Sequence, residues 1–231
     1  MEDTTIWSFP ERGNWATHSG EYRGNWSPYI PRNIILRYSK KKDWILDQFL
    51  GSGTTLIEAK LLGRNAIGVD INPEAVKLAN KNLKFTCQEE GKIFTKEGNA
   101  TILSFIKDES IDLICTHPPY ANIIRYSKNI PGDISNLKHE KFLKEMEFVA
   151  NESYRVLRKQ GICAFMIGDV REKGYVVPLG MNSMQKFVNA GFRLKEIIIK
   201  EQYNCKSTKY WENIKKMFLM LAHEYIFILE K

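Results

Sequence analysis

Trp44-Ile45-Leu46-Asp47-Gln48-Phe49-Leu50-Gly51-Ser52-Gly53-Thr54-Thr55 reads as an apolar strand, a tight glycine turn and the first turn of a helix. Two glycines around one small residue let backbone amides approach a ligand where a Cβ would intrude. Thr54 or Thr55 is placed to cap a helix that continues through Leu56, Ile57, Glu58, Ala59, Leu61 and Leu62. Such a strand, turn and helix form nucleotide-type sites at the carboxyl end of a parallel strand. Many turns contain Gly-x-Gly, so the rest of the chain must say what this one serves.

Upstream, Ser27 is a candidate N-cap and Pro28 suits a first helical position, ahead of an apolar stripe of Tyr29, Ile30, Ile34, Ile35 and Tyr38. Lys40-Lys41-Lys42 closes that helix on charge suited to its negative end. Residues 1–26 show little periodicity and form an irregular arm before a single domain over 27–231. The tryptophans at 7, 15 and 26 either pin the arm to the core or line a ligand cleft, since disordered tails are poor in aromatics.

Downstream, strands and helices alternate. Strands are predicted over 65–70, 93–97, 111–116, 162–167, 192–199 and 221–229. Helices are predicted over 73–83, near 100–106, over 140–157 and over 177–189. The pattern predicts an α/β fold whose seven-stranded, mostly parallel sheet is wound by right-handed crossovers with helices on both faces.

The chain has 231 residues, 43% apolar and 26% charged, which suits a globular protein. No apolar run approaches the ~20 residues of a membrane span. The start lacks a secretory pattern, which predicts a cytoplasmic protein without membrane partners. The four cysteines and four histidines are scattered, so reduced structural thiols and no metal site are expected. A net charge of +7 makes polyanions plausible partners.

Asp70 follows the glycine turn by about 20 residues, where an acid can accept from both ribose hydroxyls of an adenosine. Asn99 offers both donor and acceptor to an adenine edge. The fourth strand ends Thr116-His117-Pro118-Pro119-Tyr120, where two prolines fix the backbone and an aromatic ring follows. Between residues 200 and 220, aromatic and basic side chains interleave; Lys206, Lys209, Tyr210 and Trp211 are candidate contacts for phosphates and unstacked bases, or simply a solvated loop.

These three motifs together resemble the S-adenosylmethionine-dependent DNA amino-methyltransferases that act on cytosine N4 or adenine N6. The matched residues are Asp47 to Thr55, Gly68-Val69-Asp70-Ile71-Asn72-Pro73, and Thr116 to Tyr120, and the likeness covers about residues 27–230. The motif order is unpermuted and does not choose between the two bases. The resemblance implies a Rossmann-like class I methyltransferase fold with an antiparallel last strand. It implies that S-adenosyl-L-methionine is held by Asp47, Phe49, Gly51, Ser52, Gly53, Thr54, Asp70, Ile71, Asn99 and Thr116. His117, Pro118, Pro119 and Tyr120 would hold the target base.

An exocyclic base amine is a poor nucleophile because its lone pair is delocalised into the ring. Acceptors on its hydrogens, here the Pro118 carbonyl and the side chain at 117, favour a pyramidal nitrogen, so positioning and electrostatics carry the catalysis. Tyr120 would stack on a base flipped from double-stranded DNA. His117 stands where the family has Asp, Asn or Ser. It either accepts as a neutral imidazole, with transfer failing below pH about 6.5, or merely shapes the turn. Gln48 stands where Pro is usual and is expected to be tolerated. The absence of an acid at 117 favours cytosine N4 over adenine N6. Loops 121–139 and 200–220 would supply recognition, which implies a short target, a homodimer or a partner subunit. An RNA base-amine methyltransferase and a catalytically silent nucleic-acid-binding subunit are the rival readings.

Overall fold

A computed structural model of the chain describes residues 1–88, 91–127, 130–203 and 219–231. Among these the strands are β1 (Ile6–Trp7), β2 (Trp44–Asp47), β3 (Asn65–Asp70), β4 (Ile93–Glu97), β5 (Ile111–Thr116), β6 (Leu157–Ile167), β7 (Val170–Glu172), β8 (Tyr175–Val177), β9 (Arg193–Glu201) and β10 (His223–Glu230). The helices are α1 (Tyr29–Tyr38), α2 (Thr54–Leu61), α3 (Pro73–Asn82), α4 (His139–Val156) and α5 (Leu179–Asn189).

Eight strands form one sheet in the order β1-β9-β10-β6-β5-β2-β3-β4. β2 to β6 run parallel to one another, and β10 runs antiparallel to both β6 and β9. This is the class I methyltransferase arrangement, with the seven expected strands and the antiparallel last one. The eighth strand comes from the arm, where Ile6 and Trp7 pair parallel with Ile199 and Lys200.

Period-two alternation feeds two cores, one on each face. Leu46, Ile114, Phe165 and Phe227 point to one face, where Phe142, Met146 and Val149 of α4 and Phe187 of α5 pack on them. Ile45, Cys115, Ala164 and Ile226 point to the other, against Ile30 and Ile34 of α1, Leu56 of α2, and Trp7 and Trp26 of the arm. Both strand faces are buried, which is why these strands read as continuous apolar runs. No helix among the described residues is long and apolar enough to cross a membrane.

Several local expectations are corrected. Neither Thr54 nor Thr55 caps α2: Gly53 takes the cap position at φ +88°, with no side-chain cap. Pro28, expected at the first helical position, is instead the cap residue of α1, and the Ser27 hydroxyl donates to the Arg12 carbonyl. Residues 100–106 form turns rather than a helix, held partly by Leu103 N–H donating to Glu152. The helix expected from 177 starts at Leu179, because Val177 closes the β7–β8 hairpin. α3 does start as its sequence suggests, with the Asn72 side chain accepting from Glu74 N–H and Pro73 next in line.

Candidate active site

The carboxyl ends of β2, β3 and β5 open onto one cleft. Asp47, Phe49, Gly51, Ser52, Thr54, Asp70, Ile71, Asn99, His117 and Pro119 all line it. Gly53, Thr116, Pro118 and Tyr120 are not among its lining residues. Lys206, Lys209, Tyr210 and Trp211 lie outside the described residues.

The glycine turn is held by its own backbone and by the next strand. Leu50 N–H donates to the Val69 carbonyl at 2.9 Å, and Gly51 N–H donates to Asp70 Oδ2 at 2.8 Å. Gly51 at φ +50° and Gly53 at φ +88° occupy backbone that side chains rarely adopt. A Cβ on Gly53 would stand 3.2 Å from Ala79 of α3, so this glycine sets how closely the turn packs on that helix. Asp70 Oδ1 accepts from Asn72 N–H at 2.9 Å, and burial raises its carboxyl above the ordinary value.

Asp47 is 2% exposed and forms no ion pair among the described residues. Its Oδ1 accepts from Thr116 Oγ1 at 2.7 Å and from Phe49 N–H at 3.1 Å. Burial pushes the carboxyl up to about 6, against the lowering effect of its hydrogen bonds. A buried carboxylate facing a cleft without a cation suits a ligand that brings its own positive charge. Asp70 and Asn99 across the same cleft suit a ribose and a base. The donor set therefore fits S-adenosylmethionine, whose amino-acid end carries an ammonium. Asn99 Oδ1 already accepts from Thr101 N–H at 3.0 Å, and Gly132 passes so close that a Cβ there would stand 3.0 Å from Asn99 Nδ2.

At the β5 end, the His117 imidazole stacks on Trp26 of the arm, with centroids 5.3 Å apart and planes 18° apart. His117 Nε2 lies 2.9 Å from the Tyr120 hydroxyl. That hydroxyl donates to Glu224 Oε1 of β10 at 2.6 Å, and Lys200 Nζ of β9 donates to Glu224 Oε2 at 2.9 Å. Burial pushes the imidazole down to about 4, so the sequence-based limb near 6.5 is corrected downwards. Burial works to raise Glu224, but Lys200, then His117 and the Tyr120 bond, hold it below the ordinary glutamate value.

The arm both pins itself and lines the cleft. Trp15 Nε1 donates to Glu58 Oε1 at 2.7 Å, His18 Nε2 meets the same oxygen at 2.7 Å, and Arg32 donates to Oε2 at 2.9 Å. Tyr22 and Trp26 then reach the cleft, with Tyr22 stacked on Tyr126 at 6.0 Å between centroids. The sequence reading missed Glu224, Lys200, Tyr22 and Tyr126. A lone acid inside the apolar run 221–229 was the one available signal, and it points to Glu224.

The sequence matches the profile of the DNA methylase family over residues 2–81 and 111–231. A profile described as RNA cap guanine-N2 methyltransferase matches residues 42–165. The Type II methyltransferase M2.LlaDCHI of Lactococcus lactis subsp. cremoris is 42% identical over 84 residues, 36% of this chain and 30% of that one. The tRNA (guanine(10)-N2)-dimethyltransferase of Methanothermobacter thermautotrophicus is 32% identical over 123 residues, 53% of this chain and 34% of that one. The chain thus spans about a third of the length of these curated relatives. Among solved structures, a SAM-dependent methyltransferase of Methanosarcina mazei superposes with TM-score 0.61 at 18% identity, covering 86% of this chain and 96% of that one. TrmN of Thermus thermophilus gives 0.63 at 17%, covering 91% and 51%. A matched profile over most of the chain, on this sheet order, settles the family: the chain belongs to the DNA methylase family of S-adenosylmethionine-dependent amino-methyltransferases.

Proposed function

We propose that this chain methylates the exocyclic amine of a base flipped out of DNA, with cytosine N4 ahead of adenine N6. The observation that carries the reading is that one cleft is lined by the uncompensated Asp47, by Asp70, and by His117 and Pro119. When bound, S-adenosylmethionine would supply an electrophilic methyl to the amine, and the methylated nitrogen would lose one proton to water. Asp47 would hold the ammonium, with Thr116 orienting the carboxylate. Asp70 would take the ribose and Asn99 the adenine, over the backbone of residues 49–53. Thr54 and Ile71 complete the walls of that subsite.

At the other end, the neutral imidazole of His117 and the carbonyl of Pro118 would accept from the amine and localise its lone pair. Pro119 holds the turn rigid. Tyr120 would stack on the base from a ring fixed through its hydroxyl. A net charge of +7 suits the phosphates that must be met on the way in.

The likeness to the tRNA (guanine(10)-N2)-dimethyltransferase spans more of this chain than the likeness to M2.LlaDCHI, which favours an RNA base amine as the second reading. Methyl transfer from labelled cofactor onto duplex DNA, tRNA and rRNA, followed by nucleoside digestion, separates the two. Label in an amine-methylated deoxynucleoside supports the first reading. Label confined to ribonucleosides replaces it with the second.

A further inference from the structure

We propose that Glu224 and Lys200 are positioning residues that fix the tautomer of His117 through the Tyr120 hydroxyl, leaving His117 Nδ1 as a bare acceptor for the target amine. The inference deepens the proposed methyl transfer and rests on it for its purpose.

Four groups share the protons that decide this tautomer. A phenol has one proton, and an ionised carboxylate can only accept. Tyr120 spends its proton on Glu224 Oε1 at 2.6 Å, so its oxygen can only accept at the 2.9 Å contact with His117 Nε2. Nε2 must therefore carry the imidazole proton. Burial keeps His117 neutral at ordinary pH, and a neutral imidazole has one N–H. Nδ1 is then unprotonated. It has no hydrogen-bond partner among the described residues and is not a buried orphan, while the ring it belongs to lines the cleft.

Lys200 keeps the relay pointing one way. Its ammonium, 2.9 Å from Glu224 Oε2, keeps that carboxyl ionised and so unable to donate. A neutral, donating group at 224 would free the phenol proton for Nε2 and drive the imidazole proton onto Nδ1, where it would meet the hydrogens of the amine. Asp, Asn or Ser at 117 would accept without such a device. An imidazole accepts at one nitrogen and donates at the other, so it needs one. The charged and titratable groups facing this ring are Glu224 and Lys200 from the sheet and Tyr120 from its own segment. Trp26 covers it from the arm, and Tyr126 stands beyond Tyr120.

The test is the imidazole nitrogen spectrum of the full chain labelled with ¹⁵N-histidine, with His117→Asn assigning the ring. We expect a protonated, pyrrole-type Nε2 and an unprotonated Nδ1 at neutral pH without nucleic acid. In Glu224→Gln the resonances should shift towards the Nδ1–H form. With duplex DNA, Glu224→Gln should lose about tenfold in kcat with KM values within about twofold, and adding it to Tyr120→Phe should cost nothing further. A wild-type Nδ1–H tautomer overturns the proposal, even if Glu224→Gln does not fold. So does a Glu224→Gln protein with wild-type tautomer and kcat. Because the tautomer is read without substrate, failure to methylate DNA would sink the functional reading and leave the relay to be judged on the spectrum.

Discussion

Asp47 and His117 bring opposite titration problems to one cleft. Burial raises the Asp47 carboxyl to about 6 and lowers the His117 imidazole to about 4. At pH 7 Asp47 is charged and His117 neutral, which is what an ammonium at one end and an amine donor at the other require. As pH falls through about 6, Asp47 takes a proton, so KM for the cofactor should rise about tenfold per unit while kcat at saturating cofactor holds. Only below about 4 should kcat itself fall, as His117 loses its acceptor. Steady-state rates across that range check both limbs, and a kcat limb near 6.5 would contradict the second. The Asp47 shift also costs stability. A carboxyl raised in the folded state stabilises it at low pH and loses that contribution as pH rises through the folded value. Asp47→Asn should therefore unfold later in urea at pH 7, by about 3 kcal/mol, while cofactor binding is lost in calorimetry. A less stable variant that binds cofactor normally would refute the assignment.

Trp15 and His18 of the arm meet one buried acid, Glu58, which Arg32 of α1 also approaches. Removing one side of a buried polar cluster strands the partners, so Glu58→Ala should lower stability by about 3 kcal/mol in urea unfolding. Because Tyr22 and Trp26 leave the same arm for the cleft, it should also weaken cofactor binding about tenfold and speed proteolysis within residues 1–27. Sequence reading reached the parallel strands because period-two apolar runs ended in glycine, Asn-Pro or Pro-Pro punctuation. It reached Asp47, Asp70 and His117 because sites in such sheets sit at strand ends. It could not reach the contact of Tyr120 with Glu224, which lies 104 residues further on. Nor could periodicity decide between pinning and lining for the arm, which does both. The β7–β8 hairpin was too short to show a period, and residues 100–106 are apolar enough to mimic a helix but are tied into turns by side chains from α4.

At the scale of the whole molecule, the sheet gathers Asp47, Asp70 and His117 around one cleft, and the chain carries a net charge of +7. Binding of duplex DNA should weaken steeply with salt, its logarithm falling linearly with the logarithm of salt concentration as phosphate counterions are released. Titration at two or more ionic strengths checks this, and a flat response would speak against phosphate contact. The most direct measurement is made on DNA from cells expressing this chain, digested to nucleosides and read by mass spectrometry for both amine-methylated bases. An amine-methylated deoxynucleoside, N4-methylcytosine first, is expected and should vanish in His117→Leu. Unmodified DNA beside newly methylated RNA from the same cells would contradict it.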